Sequence, residues 1–444
     1  MKYFFNFGQK NTKNMRIFKL CLTILLGVCS FFSYSQSQLL FSNQGFNAAT
    51  YIPAMYPQLE MNKFQISSGL QLSIGNNNFS YSIVDKLLEG KPITYEETQN
   101  MAKKSKKRNV IGSEYSFHLL NAVIKKDRYI LGLGIEENDL FSFSYNRDLG
   151  KLLWQGNSQF EGKTVKEDKA KFYWHRVRYY KVTGATQLTD KLSIGVNAKL
   201  VQGVRQIRTK HFSGSLFTAQ EGEYLDFTMD YEFNTAGLGK GNRGIFKFNG
   251  VGAGVDITAA YQINESQLQT IYVTVQNLGF VSWSGNATTY TESVNQFRFE
   301  GQVISNLFAV QDNKNNAFDT LRKVFSSKLS AQKYIDMLPL RLSVGYVQQI
   351  NEKVQVSGLF EQGYHSSITF RPHLEAAAQY KLNEYLAAGG CMGVLGFNNF
   401  NLGLHTCLNY KGFGIWLSAD QITGLILPKM GTGVALYAGL WYRM

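Results

Sequence analysis

The stretch FQISSGLQLSIG, Phe64 to Gly75, decides the architecture. Phe64, Ile66, Leu70, Leu72 and Ile74 fall on one side of an extended chain, and Gln65, Ser67, Gly69, Gln71 and Ser73 on the other. A strand has a two-residue period, so this segment has one apolar and one polar face. The pattern serves two architectures. A soluble sandwich presses its apolar face on a second sheet, whereas a membrane barrel turns that face to lipid and lines its lumen with the polar one.

Composition narrows the choice. The chain has 444 residues, only 6 Pro, and no Gly/Ser-rich or Pro-rich run that reads as a linker, which favours one continuous architecture. With 25 Tyr, 32 Phe and 41 dispersed Gly, it reads as strands joined by turns. The N-terminus carries basic residues in KNTKNMRIFK, an apolar run from Leu20 to Phe32, and the small-x-small pattern Ser33-Tyr34-Ser35. That run is short for a bilayer span, and Val28 occupies the place before Cys29 where a lipoprotein has a small residue, so the segment reads as an export signal cleaved after Ser35. Met15 starts a conventional signal by itself. The expected organisation is a signal peptide over 1–35, an N-terminal segment over 36–62 and a single β-domain over 63–444. Beyond the signal no apolar run is long enough for a membrane helix, so insertion requires a closed barrel.

Turn signals count the strands. Short polar turns at Lys125–Asp127, Thr189–Lys191, Asn264–Gln267, Asn351–Lys353, Asn383–Glu384 and Lys411–Gly412 each separate two alternating runs. The other connections are long early in the chain, roughly 76 to 111, 146 to 169, 211 to 248 and 285 to 338, and short near Tyr364–Ser367 and Phe397–Phe400. With short turns on one side and the remaining connections on the other, the count is about fourteen antiparallel strands with both ends on the short side. That is the pattern of an all-β transmembrane outer-membrane barrel with short periplasmic turns and long extracellular loops. In this reading Phe64, Ile66, Leu70, Leu72 and Ile74 meet lipid, and Trp283, Tyr346, Trp416 and Trp441 suit interfacial girdles. At the C-terminus, Tyr437, Gly439, Tyr442 and Met444 resemble the closing strand that barrel assembly machinery recognises.

Candidate chemistry is sparse. Gly239 to Gly244, GKGNRG, matches a dinucleotide-binding pattern but precedes a strand rather than a helix, and reads as a loop tip. The six histidines show no metal-ligand spacing, and His365-Ser366-Ser367 reads as a solvated turn rather than a nucleophile with its base. The acidic loop from Ala219 to Phe233 has no calcium-loop spacing and reads as a hairpin with charged edges. No cofactor, metal or catalytic constellation is implied, and an enzyme has no support. Of the cysteines left after export, Cys391 and Cys407 lie on hairpin neighbours centred near Asn399. They either face each other and bond, or stay two buried thiols. The net charge of +14 includes Lys103, Lys104, Lys106, Lys107 and Arg108. In an exported chain this run is a contact for lipid phosphates, lipopolysaccharide or an acidic partner, or a solvated loop, rather than a nucleic-acid site. Before it, Thr94 and Glu97 stand at capping-box spacing, predicting a helix over Thr94 to Lys107.

The mature N-terminus, QLLFSNQGFNAATYIPAMYPQ, resembles the opening of PorP/SprF-like outer-membrane proteins of bacteria with type IX secretion. Phe41-Ser42 and Pro53-Ala54 carry the likeness, with Ile52 where the family has Asn, and Tyr442 to Met444 match its ending. The resemblance implies a fourteen-strand barrel with an architecture like that of fatty-acid transporters, in the outer membrane of a Gram-negative bacterium, with 36–62 tucked into the lumen as a plug. It also implies a role beside secretion or motility components. The competing expectation is a transporter for small hydrophobic solutes.

Overall fold

The computed structural model describes residues 52–58, 64–238, 247–264, 269–300, 328–396 and 400–444. The expected export signal, most of 36–62, the Gly239–Gly244 motif and most of the Asn264–Gln267 turn lie outside these residues.

Fourteen strands form the wall: β1 (Phe64–Asn76), β2 (Arg108–Lys126), β3 (Tyr129–Asn146), β4 (Lys171–Gln187), β5 (Leu192–Thr218), β6 (Gly250–Asn264), β7 (Gln269–Trp283), β8 (Leu340–Gln349), β9 (Val354–Tyr364), β10 (His373–Lys381), β11 (Leu386–Leu395), β12 (Phe400–Tyr410), β13 (Phe413–Ala419) and β14 (Gly433–Arg443). Each pairs antiparallel with the next, and β14 returns to β1 in an eleven-residue register from Gln65 opposite Arg443 to Gly75 opposite Gly433. Phe64 and Met444 exchange backbone hydrogen bonds of 3.2 and 3.0 Å at the seam. The sheet is therefore closed, which is the condition for strands to cross hydrocarbon.

The short turns work by local chemistry. Lys411 and Gly412 both have positive φ, the requirement of a two-residue hairpin turn. Asn351 Oδ1 accepts from the Lys353 and Val354 amides, Asn383 Oδ1 from those of Tyr385 and Leu386, and Thr189 Oγ1 from those of Lys191 and Leu192. On the opposite side the early connections carry structure of their own. The first holds α1 (Tyr81–Glu89) and α2 (Tyr95–Lys104), and the second holds α3 (Arg147–Gln155). β5 continues beyond the wall to pair with Leu225–Ala236, which pairs with Thr288–Phe299. The acidic stretch is thus the expected hairpin, its edges tied by Asp226 to Arg298 and Glu232 to Lys210.

The predicted capping box is present: Glu97 N–H donates to Thr94 Oγ1, and Thr94 N–H to Glu97 Oε2. The helix stops at Lys104 instead of Lys107, because Ser105 is extended and the Asn109 side chain accepts the Lys106 amide.

Faces follow the two-residue rule. Gln65, Ser67, Gln71 and Ser73 are buried inside, while Ile66 is exposed outside. Of the expected aromatic girdle, Tyr346 faces outward with Val344, but the tryptophans need correction. Trp283, Trp416 and Trp441 point into the lumen and are fully buried, because their neighbours Leu417, Leu440 and Tyr442 take the outward positions. The outward rim on the short-turn side is instead built by Tyr129, Tyr261, Tyr380, Tyr410, Phe413 and Tyr442. An outward charge costs roughly 2–4 kcal/mol at the midplane of a bilayer and about 0–1 near its surface. Apart from Lys126 at the short-turn rim, the outward charges of the described wall obey this, gathering as Glu137, Asp139, Arg176, Arg178 and Arg205, each eight or more residues from the short-turn end of β3, β4 or β5.

The inner face also sets a packing requirement. Trp441 lies directly over Gly414 on the adjacent strand, where any Cβ would collide with the indole. Gly414→Val is expected to destabilise the barrel by about 1–3 kcal/mol, whereas Gly184→Ala, which meets open space, changes little. Denaturant unfolding in detergent, followed by tryptophan fluorescence, checks the difference.

Candidate functional site: a lumen closed at three levels

Half of each strand's side chains enter the lumen, and in a low-dielectric interior each polar group there needs a partner. On the short-turn side the partner is the N-terminal segment. Residues Pro53–Gln58 form a 3₁₀ turn, and Ile52, Ala54 and Met55 are buried in one apolar cluster with Tyr272, Val347, Leu359, Trp416 and Trp441. Ala54 N–H donates to Thr258 Oγ1 at 3.1 Å. Gly195 completes the seat, since a Cβ there would lie 2.6 Å from Ala54 N and 2.9 Å from Pro53. This part of the expected plug is inside the barrel.

At mid-height the lumen is ionic. Lys181 pairs with Glu136 at 2.8 Å, and Lys199 with Asp256 at 2.7 Å. Arg341 of β8 reaches Glu114 of β2 at 2.6 Å, and these strands stand almost opposite each other in the ring. This pair bridges the lumen, and Asn138 Nδ2 donates to the same Glu114 carboxylate at 3.0 Å. His373 and Glu375 share a 2.7 Å hydrogen bond beside it on β10.

The long-loop side is closed by the connection between β9 and β10. Ser367 Oγ donates to the Thr209 carbonyl at 2.8 Å, Thr369 and Ser144 share a 3.0 Å hydroxyl contact, and Ile368 packs on Leu140 and Tyr173. His365 hydrogen-bonds to the Met337 carbonyl at 3.1 Å and faces Asp336 at 3.4 Å. The expected solvated turn at His365–Ser367 is therefore solvated only in part: Ser366 stays exposed, whereas His365 is half-buried and Ser367 buried, because the chain dips into the mouth after Ser366.

The residues singled out from sequence separate. Tyr437 and Gly439 face inward and Tyr442 and Met444 outward, all on or just beyond β14, which closes the sheet. Cys391 stands opposite Gly403 and Cys407 opposite Ala387, so they do not face each other and no disulfide joins them. The hairpin is centred two residues earlier than Asn399, and this even shift keeps both thiols inside. Of the basic run, Lys103, Lys104 and Lys107 are exposed, Lys106 is half-buried, and Arg108 donates to the Lys169 carbonyl at 2.7 Å. The lumen charges Glu114, Glu136, Lys181, Lys199, Asp256 and Arg341 were not anticipated. Their signal is present in SEYSFH, YKVTG, NAKLV and LRLSV, where a charge occupies a polar-face position inside an alternating strand. Gly195→Leu, which fills the plug's seat, is expected to displace Ile52–Met55 and raise ion conductance in planar bilayers without loss of barrel assembly.

Solved structures with likeness to this chain include two toluene transporters. The Ralstonia pickettii toluene transporter TbuX aligns with a TM-score of 0.45 and 12% identity over 90% of this chain and 93% of that one. The Pseudomonas putida toluene transporter TodX gives 0.41 and 10%, over 93% of each chain. A Pseudomonas aeruginosa FadL homologue gives 0.42 and 10%, over 89% and 94%. No curated protein matches the chain by sequence. These comparisons do not show the PorP/SprF-like membership suggested by the N-terminal motif. What they do show is a match over residues 53–420 to the family of unknown function DUF5723, and the chain belongs to that family.

Proposed function

We propose that this barrel is a gated outer-membrane channel for small apolar solutes, with the N-terminal segment as its gate on the periplasmic side. The observation that supports it is the seat of the plug. Ile52, Ala54 and Met55 occupy an apolar, aromatic-walled space inside the lumen, on the short-turn side of its ion pairs, held by one described hydrogen bond and by van der Waals contact. A space that accommodates these side chains suits a solute of the same chemistry once they leave. The ion pairs above the seat then act as a second barrier, opened by side-chain rotation instead of by breaking the wall.

A second reading, a membrane partner for type IX secretion or motility components, is favoured by one feature. The early connections build an ordered layer of capped helices and extended strands on the long-loop side, a surface suited to binding. Under that reading the tagged protein co-purifies in mild detergent with other envelope components and loses them when 76–111 is trimmed. A protein that purifies alone argues against it.

For the channel reading, deleting residues 36–62 is expected to raise single-channel conductance several-fold and to increase uptake of a small aromatic hydrocarbon into intact cells. Equal conductance and uptake with and without the segment would sink it.

A further inference from the structure

The five outward charges of β3, β4 and β5 form a built cluster on the lipid-facing wall. Glu137 accepts from Arg176 Nε at 2.6 Å and is ion-paired with Arg178. Asp139 accepts from Trp174 Nε1 at 2.8 Å and from Arg205 Nη2 at 3.4 Å. The Arg205 guanidinium lies 4.1 Å from the centre of the Trp174 ring, and its Nε is buried without a described hydrogen-bond partner. Tyr180 on the same face donates to Gln202 at 2.9 Å. Three guanidiniums against two carboxylates leave a net charge of +1. Arg176 and Arg205 remain open to the surroundings, with side chains 39% and 34% exposed.

The surroundings identify the partner. Toward the short-turn side the same strands present Leu131, Leu133, Val182 and Leu200, each half or more exposed, as a surface for acyl chains. Toward the long-loop side stand Phe141 and Phe172, ring centres 5.4 Å apart. A ligand in this position has its apolar body along the leucines and its anionic head at the arginines. Planar guanidinium forks match phosphate oxygens better than point charges do, and aromatic side chains favour the head-group level of a membrane. We propose that this face binds one phosphorylated glycolipid of the outer leaflet, its phosphate held by Arg176 and Arg205. The exposed Lys103 and Lys104 at the end of α2 and Lys107 just after it are not the site, because they lie in a connection and not on the lipid-facing wall.

Native mass spectrometry of the full chain in detergent micelles tests this, with bisphosphorylated lipid A and its dephosphorylated form as probes. The wild type is expected to retain one bisphosphorylated lipid and to bind the dephosphorylated form about tenfold or more weakly, a factor equivalent to about 1.4 kcal/mol. Arg176→Gln/Arg205→Gln should lose binding to the same extent while keeping a heat-modifiable, folded barrel; Arg178 still pairs with Glu137 there. Lys103→Gln/Lys104→Gln/Lys107→Gln should retain it. Equal retention of both lipids by the wild type overturns the proposal independently of any variant's folding. So does loss of binding in the lysine variant alone.

Discussion

Backbone hydrogen bonding in hydrocarbon is the constraint from which the rest of the structure follows. A peptide group left without a partner there costs several kcal/mol, so strands cross a membrane only as a closed sheet. In this chain closure depends on two segments at opposite ends of the wall, Phe64–Asn76 and Gly433–Arg443, meeting in register. Once that seam forms, the two-residue period assigns every wall residue to lipid or to lumen. A one-residue slip would exchange the two sets, sending Gln65, Ser67, Gln71 and Ser73 into hydrocarbon.

The inside inherits a second requirement. The charged side chains in the lumen pair with one another, and segments that fold inward fill its two ends. The pairs Glu136–Lys181, Lys199–Asp256 and Glu114–Arg341 satisfy the middle, Ile52–Met55 the short-turn end, and the Ser367–Thr369 connection the mouth. None of these closures is covalent, and two are contributed by chain outside the wall. A barrel built only as a rigid anchor has no need of an apolar seat filled by its own N-terminal segment. That seat supports a gating role, and the one-sided cluster of outward arginines separately suggests how the barrel is held among outer-leaflet lipids.

The wall was legible in the sequence because its signal is local and repeated. Alternation in FQISSGLQLSIG and turn chemistry at Asn351, Asn383 and Lys411–Gly412 each need only a few neighbouring residues. Both sides of the barrel and the positions of its ends followed. What was missed depends on contacts across the ring. The Glu114–Arg341 pair joins residues 227 positions apart, and nothing near either residue names the other. The tryptophans were assigned to the wrong face because an aromatic suits both a rim and a packed lumen, and only parity against Leu417 and Leu440 separates the two. Whether Cys391 and Cys407 pair is open in the sequence because it depends on where a hairpin turns, and a centre two residues earlier parts the thiols. His365–Ser367 looked like an ordinary surface turn because inward bending of a loop leaves no periodic trace.

Conductance under a reversible lock addresses the gate most directly. Ala54→Cys/Thr258→Cys, in a background with Cys391→Ala and Cys407→Ala, places thiols at the one described hydrogen bond between plug and wall. A short thiol-specific cross-linker then fixes the segment, and a reducible linkage releases it. If the N-terminal segment is the gate, cross-linked barrels stay closed in planar bilayers and reduction restores solute-dependent openings. Openings of the same size and frequency before and after reduction would contradict the account.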